Sequence, residues 1–244
     1  SICKSSPAGL EDAELALESA SIAFAEWKNV LPSAREAIFL KAANILEARA
    51  EELRDVLLDE SGSTLLKAGY EVHHSAAFLR GIAGECRRVT GDTYISDYPG
   101  VKSHSIRRPL GVVTAIVPSN FPLLLAIRKI GWAMAAGNTV VLKPSEQTPV
   151  VGLTLAEVFP EAGLPKGVLN VIPANASALG DILITDPRAK KITFTGSTKI
   201  GKMIATKAAA LLKKFTLELG DKNPMIVLND ADIDYGYRQV IELE

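Results

Sequence analysis

Apolar positions recur at helical spacing through the first third of the chain and at strand spacing through the rest. Over residues 10–27, Ala, Leu and Glu dominate and Gly and Pro are absent, which predicts a helix. Ser33, with Glu36 three residues on, has the spacing of a capping box. Behind it Ile38, Leu40, Ala43, Ile45 and Leu46 carry the helical period on to Leu58. A third helix is predicted over 65–89. The texture changes at Gly91. Between Thr93 and Arg107, two short runs flank the turn Tyr98-Pro99-Gly100, which reads as a hairpin. Beyond it short apolar runs alternate with helical patterns. Strands are predicted at 112–117, 139–142, 168–172, 191–195 and 215–217, with a further apolar run at 225–228. Helices are predicted at 123–136, 150–161, 178–184 and 199–213. Such alternation specifies an α/β fold, a doubly wound, Rossmann-like parallel sheet of about five strands covered on both faces. Three regions follow: N-terminal helices over 1–90, a hairpin over 91–108, and a nucleotide-binding type of core over 109–234. Ligands of such sheets bind beyond the carboxyl ends of the strands. The loops that start at Pro118, Lys143, Pro173, Gly196 and Glu218 are therefore the places where a site is expected.

Composition narrows the function classes. The 244 residues carry 27 Lys and Arg against 28 Asp and Glu, a net charge of −1. That balance excludes a general nucleic-acid binder. Residues 109–127 carry no charge, a length close to a bilayer span. However, Pro109, Gly111, Pro118, Ser119, Asn120 and Pro122 fall within it, which fits a buried strand, a turn and a helix better than a membrane helix. No charged segment followed by an apolar run opens the chain, so no secretion signal is expected. Cys3 and Cys86 cannot build a disulfide framework or a four-ligand zinc site, and two reduced thiols in a cytoplasmic protein are expected. His73 and His74 are adjacent, so on a helix they diverge by about 100° and cannot share one metal. No metal site is expected.

The usual dinucleotide fingerprint cannot occur, because no two Gly are separated by a single residue. Instead, Gly196-Ser197-Thr198-Lys199-Ile200-Gly201-Lys202-Met203 follows a predicted strand and opens a predicted helix. That is the context of a phosphate-binding loop. The pattern departs from a P-loop at Met203, which has no oxygen to coordinate Mg²⁺. A P-loop nucleotidase is therefore the poorer alternative, and an anion site at Ser197 stands on helix-dipole grounds.

Three ordered segments carry a resemblance: PSNFPLLLAIRKIGWAMAAGNTVVLKPSEQTP over 118–149, KITFTGSTKIGK from Lys191 onward, and LELGDKNP over 217–224. Together they resemble the aldehyde dehydrogenase superfamily, across nearly the whole chain. The resemblance implies NAD(P)-dependent oxidation of a small-molecule aldehyde to a carboxylic acid. It implies that Asn120 holds the oxyanion, that Glu218 is the general base activating water, and that Lys129 assists its proton traffic. The neighbours Leu217 and Leu219 suggest an apolar setting that raises the Glu218 pKa. Lys143, Ser145 and Glu146 fall at the adenosine end of the cofactor, and a carboxylate at Glu146 favours NAD over NADP by repelling a 2′-phosphate. Ile116, Val117 and Pro118 are expected at the nicotinamide end. Phe194, Gly196 and Ser197 are expected around the pyrophosphate, and Leu219 and Gly220 among the other cofactor-binding residues. Phe121, Leu125 and Arg128 fall where the family shapes its aldehyde tunnel, and Arg128 suits a carboxylate-bearing aldehyde.

Ser119 stands where many members have Trp, Ala174 where Gly is usual, and Asp221 where a second Gly is usual. The family's nucleophilic Cys lies C-terminal to the Glu218 motif, beyond Glu244. The expectation is a cofactor-binding half that does not turn over alone and that forms a homo-oligomer, dimer or tetramer, when full length. The alternative is a non-catalytic NAD-binding module or partner subunit.

Overall fold

The computed structural model describes residues 7–179, 181–220, 226 and 228–235. Cys3, Asp221 and part of the apolar run 225–228 lie outside the described residues; Ile226 and Leu228 are exposed and belong to no strand.

Four helices come first. α1 (Leu10–Trp27) has the bounds its composition predicts. α2 (Pro32–Ala48) opens on a proline with Leu31 as N-cap, so Ser33 lies inside the first turn and caps nothing. Pro32 has a helix-compatible φ and no N–H needing an acceptor, so it starts the helix without a capping side chain. The expected continuation to Leu58 is interrupted at Arg49 (φ −99°, ψ 20°), and α3 (Ala50–Ser61) follows as a separate helix. α4 (Leu65–Glu85) is capped by Thr64 Oγ1, which accepts from the Lys67 N–H at 3.2 Å. It ends short of 89, where the Cys86 N–H turns back to the Ala83 carbonyl at 3.2 Å. The hairpin consists of β1 (Thr93–Ile95) and β2 (Lys102–His104), antiparallel, with Thr93 opposite His104 and every residue exposed.

The rest alternates: β3 (Val112–Ile116), α5 (Pro122–Ala135), β4 (Thr139–Lys143), α6 (Pro149–Glu161), β5 (Leu169–Val171), α7 (Ala176–Leu179), α8 (Ile182–Thr185), β6 (Ala189–Thr195), α9 (Thr198–Ala210) and β7 (Lys214–Glu218). The single helix expected at 178–184 is two short ones, with Gly180 between them outside the described residues. The five strands lie in the order β5-β4-β3-β6-β7, and every pairing is parallel. The chain steps outward from β3 to β5, then returns to the other side of β3 for β6 and β7. A doubly wound sheet has its switch point there, between the ends of β3 and β6. The charge-free stretch 109–127 forms β3, the loop after it and the start of α5. Among the described residues no helix is long and apolar enough to cross a membrane.

Strand alternation sends successive residues of the central strands to separate cores on the two faces of the sheet. Val113, Ala115, Val140 and Leu142 face a core with Phe39, Leu79, Ile127 and Phe159, built from α2 to α6. Val112 and Val141 face the opposite core with Leu17 and Leu183. Trp27, 1% exposed, closes the first core and donates its indole N–H to the Met134 carbonyl at 3.2 Å. Replacing Trp27 by Ala leaves a cavity at that junction. It is expected to lower the unfolding free energy by about 3–5 kcal/mol, read as a lower urea midpoint at unchanged slope.

Candidate active site

The strands β6 and β7 set the chemistry through their alternation. Lys191, Thr193 and Thr195 on β6, with Thr216 and Glu218 on β7, face a cleft of about 830 Å³. Ile192, Phe194 and Leu217 point the other way, to a core with Ile204 and Ala208 of α9. The opposite wall comes from α5 and the loop before it, with Asn120, Phe121, Leu125, Arg128, Lys129 and Trp132. The cleft thus brings together Asn120, Lys129 and Glu218, and with them Leu219 and the three tunnel candidates.

Glu218 is exposed rather than enclosed. The apolar setting expected from Leu217 and Leu219 is not formed around it. Leu217 lies on the other face of the strand, and Leu219 packs on Gly201 of α9, where a Cβ would collide with it. Lys129 is the half-buried member of the pair. Its Nζ donates to Thr193 Oγ1 at 3.2 Å. Burial drives its pKa down to about 8; the Glu218 carboxylate opposes the shift, while Arg128 and Lys191 add to it. Among the described residues, the charged side chains lining the cleft are Arg128, Lys129, Lys191 and Glu218. These described groups, three cations and one carboxylate, make that wall of the cleft electropositive.

A second region forms at the ends of β3 and β4. The Val117 N–H donates to the Lys143 carbonyl at 3.2 Å, which ties the two strand ends together. Val117 is buried, and Ile116 and Pro118 are half-buried. Lys143 is only 4% exposed, and its Nζ lies 3.2 Å from the Pro144 carbonyl and 3.9 Å from Glu146 Oε1. Burial lowers its pKa, and Glu146 partly restores it. Ser145 Oγ accepts from the Gln147 N–H at 3.2 Å. Glu146 also lines a smaller cleft of about 190 Å³ with Pro149, Pro173, Ala174 and Asn175.

At the start of α9, Ser197 is the N-cap, its Oγ accepting from the Ile200 N–H at 3.4 Å. The Gly196 N–H is taken by the Glu218 carbonyl at 3.0 Å, and Gly220 lies against Thr198. Phe194 is buried beneath this loop, with its ring where a Cβ on Gly196 would sit. It supports the loop from below, because position 194 belongs to the α9 face of β6. Ser197, Thr198 and Lys199 are exposed, so the unpaired N–H groups of the first turn are open to an anion.

The aldehyde dehydrogenase family model matches residues 1–242. The chain belongs to the aldehyde dehydrogenase family. The chain is 45% identical over 231 residues to the phenylacetaldehyde dehydrogenase of Pseudomonas fluorescens, covering 91% of this chain and 46% of that protein. It is 42% identical to the mitochondrial succinate-semialdehyde dehydrogenase of Arabidopsis thaliana, covering 93% and 43%. It therefore spans about half the length of the curated relatives it matches. Among solved structures, a NAD-dependent benzaldehyde dehydrogenase from Corynebacterium glutamicum superposes with TM-score 0.92 at 40% identity, over 97% of this chain and 51% of that one. An NADP-dependent enzyme from E. coli superposes with TM-score 0.93 at 36% identity, over 96% and 49%. The family thus includes both NAD- and NADP-dependent enzymes.

Thr193 and Lys191 were not among the residues singled out from the sequence. The alternation 191, 193, 195 on one strand is the signal that could have found them. Because Glu218 raises the Lys129 pKa and Lys191 lowers it, the sign of each removal is set. The Lys129 amine is expected to titrate near pH 8, lower in Glu218→Gln and higher in Lys191→Met, read from the pH dependence of its Nζ resonance.

Proposed function

We propose that this chain supplies the cofactor-binding region and three catalytic groups of an enzyme that oxidises an aldehyde to a carboxylic acid with NAD. The convergence of Asn120, Lys129 and Glu218 on one cleft carries this reading. Asn120, exposed at the mouth of the cleft, offers an uncharged amide donor to an aldehyde oxygen as negative charge develops on it. Glu218, across the cleft, accepts a proton from the water that completes the oxidation. Lys129 holds a proton close to Glu218 and gives it up near pH 8, far more readily than an ordinary lysine.

The residues present suit a dinucleotide. The open first turn of α9, with Ser197, Lys199 and Lys202, fits a pyrophosphate. Lys143 and Glu146 fit the adenosine ribose, and the Glu146 carboxylate disfavours a 2′-phosphate. Ile116, Val117 and Pro118 fit the nicotinamide end. NAD, when bound, supplies the hydride acceptor. The exposed hairpin β1–β2, with Tyr94 and Ile95 in water, supports a homo-oligomer.

Calorimetric titration tests the cofactor assignment. The chain is expected to bind NAD at least about tenfold more tightly than NADP, and Glu146→Gln to bring the two within about threefold. Tighter binding of Mg-ATP than of NAD sinks the reading. In the complete enzyme, Asn120→Ala is expected to lower kcat by about 10²-fold or more, the cost of one oxyanion donor. Arg128 lines the cleft and lies 5.4 Å from the Phe78 ring centroid, without a carboxylate partner among the described residues. We infer that it receives the carboxylate of a semialdehyde. Arg128→Leu is expected to reduce kcat/KM about tenfold more for carboxylate-bearing than for neutral aldehydes. Equal losses for both remove that assignment.

A further inference from the structure

The helices α5 and α6 begin alike. Each opens on a proline, Pro122 or Pro149, and neither N-cap residue, Phe121 or Thr148, caps with its own side chain. Proline has no N–H, so the unpaired donors of the first turn are the two amides that follow it. In both helices a glutamate from the N-terminal helices takes that pair. Glu71 of α4 is fully buried, and its Oε1 accepts from Leu123 N at 2.7 Å and from Leu124 N at 3.1 Å. Glu60 of α3 accepts from Val150 N on Oε1 at 2.7 Å and from Val151 N on Oε2 at 2.8 Å. A carboxylate facing a helix N-terminus is favoured by the dipole and by charge-assisted hydrogen bonds. In both, burial pushes the pKa up while the backbone donors hold it down.

The two capped turns directly follow the two loops that carry the site. Asn120 lies two residues before Pro122, and Lys129 is on the same helix. Ser145 and Glu146 lie in the loop before Pro149. The Asn120 side chain makes no hydrogen bond among the described residues, so its position is inherited from the chain on either side. Lys67 of α4 adds to the clamp: its Nζ lies 4.5 Å from the Phe121 ring centroid and donates to Ser63 Oγ at 2.8 Å.

We propose that Glu71 and Glu60 are positioning residues, Glu71 holding the loop that presents Asn120 to the cleft and Glu60 holding the loop that carries Ser145 and Glu146. The kinetic part of the test rests on the aldehyde-oxidation reading; the exchange part does not.

Amide hydrogen exchange on the 244-residue chain separates the two roles. Glu71→Ala is expected to speed exchange at Leu123 and Leu124 by at least about tenfold, leaving Val150 and Val151 within about twofold, and Glu60→Ala to do the reverse. The glutamine variants differ in a way that geometry dictates. In Glu71→Gln one carbonyl oxygen still accepts both amides, so protection is retained. In Glu60→Gln only one of the two acceptors survives, so one of Val150 and Val151 is exposed. This asymmetry decides the matter even if an alanine variant does not fold. In the complete enzyme, Glu71→Ala is expected to lower kcat at least about tenfold with the KM for NAD within about twofold, and Glu71→Gln to restore most of it. Glu60→Ala is expected to raise the KM for NAD at least about fivefold at nearly unchanged kcat. Uniform loss of protection, or kcat and KM moving together in both variants, overturns the proposal. A wild-type enzyme that binds NAD but oxidises no aldehyde overturns the functional reading instead, and the exchange pattern still decides which loop each glutamate holds.

Discussion

β3 is paired in parallel on both edges, with Ile116 level with Lys143 on one side and Phe194 on the other. Four of its five residues are buried, so the strand tolerates neither a charge nor a slip in register. Each parallel neighbour requires a crossover, and here one pair of crossovers runs outward to β5 while the next returns past β3 to β6 and β7. The loops leaving β3, β4, β6 and β7 therefore emerge on one edge of the sheet, and those after β3 and β6 diverge. The cleft and the open first turn of α9 are consequences of that divergence. The residues discussed as lining the cleft lie in the loops after these strands, on the cleft face of β6 and β7, or along α5.

Two lysines define the electrostatics of that edge. Lys129 and Lys143 are both drawn out of water, and burial is the largest influence on each. Each has one carboxylate close enough to oppose the shift, Glu218 and Glu146 respectively. The two pairs differ in surroundings. Lys129 also faces Arg128 and Lys191, so its proton is held loosely. Lys143 is nearly sealed, with the Pro144 carbonyl as a fixed acceptor. A loosely held proton beside a carboxylate suits proton transfer, and a sealed lysine beside a carboxylate suits a fixed hydroxyl-binding pair.

The N-terminal helices supply the acceptors that the first turns of α5 and α6 lack. Pro122 and Pro149 start their helices without donating an N–H, and that economy leaves two adjacent amides in each first turn. Burying them without an acceptor is costly, on the order of 1–3 kcal/mol for each unsatisfied group. Glu71 and Glu60 remove that cost from 52 and 90 residues away. The fold of the α/β region is in this sense completed by α3 and α4.

Where structure is decided by neighbours in sequence, the sequence by itself determined it. α1, the hairpin turn at Gly100 and the five parallel strands follow from propensity, turn residues and runs of apolar positions, all local. The Ser197 cap is local too, and so is the set of motifs that marked Asn120, Glu218 and Lys143. Helix starts were misread where a proline replaced a capping side chain, as at Ser33, because either device satisfies the same local requirement. What only the tertiary structure decided is everything that depends on partners distant in sequence: Lys129 meeting Thr193, Glu71 meeting Leu123, and Leu219 seated on Gly201. Glu218 is exposed for a related reason. Its sequence neighbours Leu217 and Leu219 are directed elsewhere by a strand whose alternate residues face opposite layers, and only the folded sheet fixes which layer lies on which side.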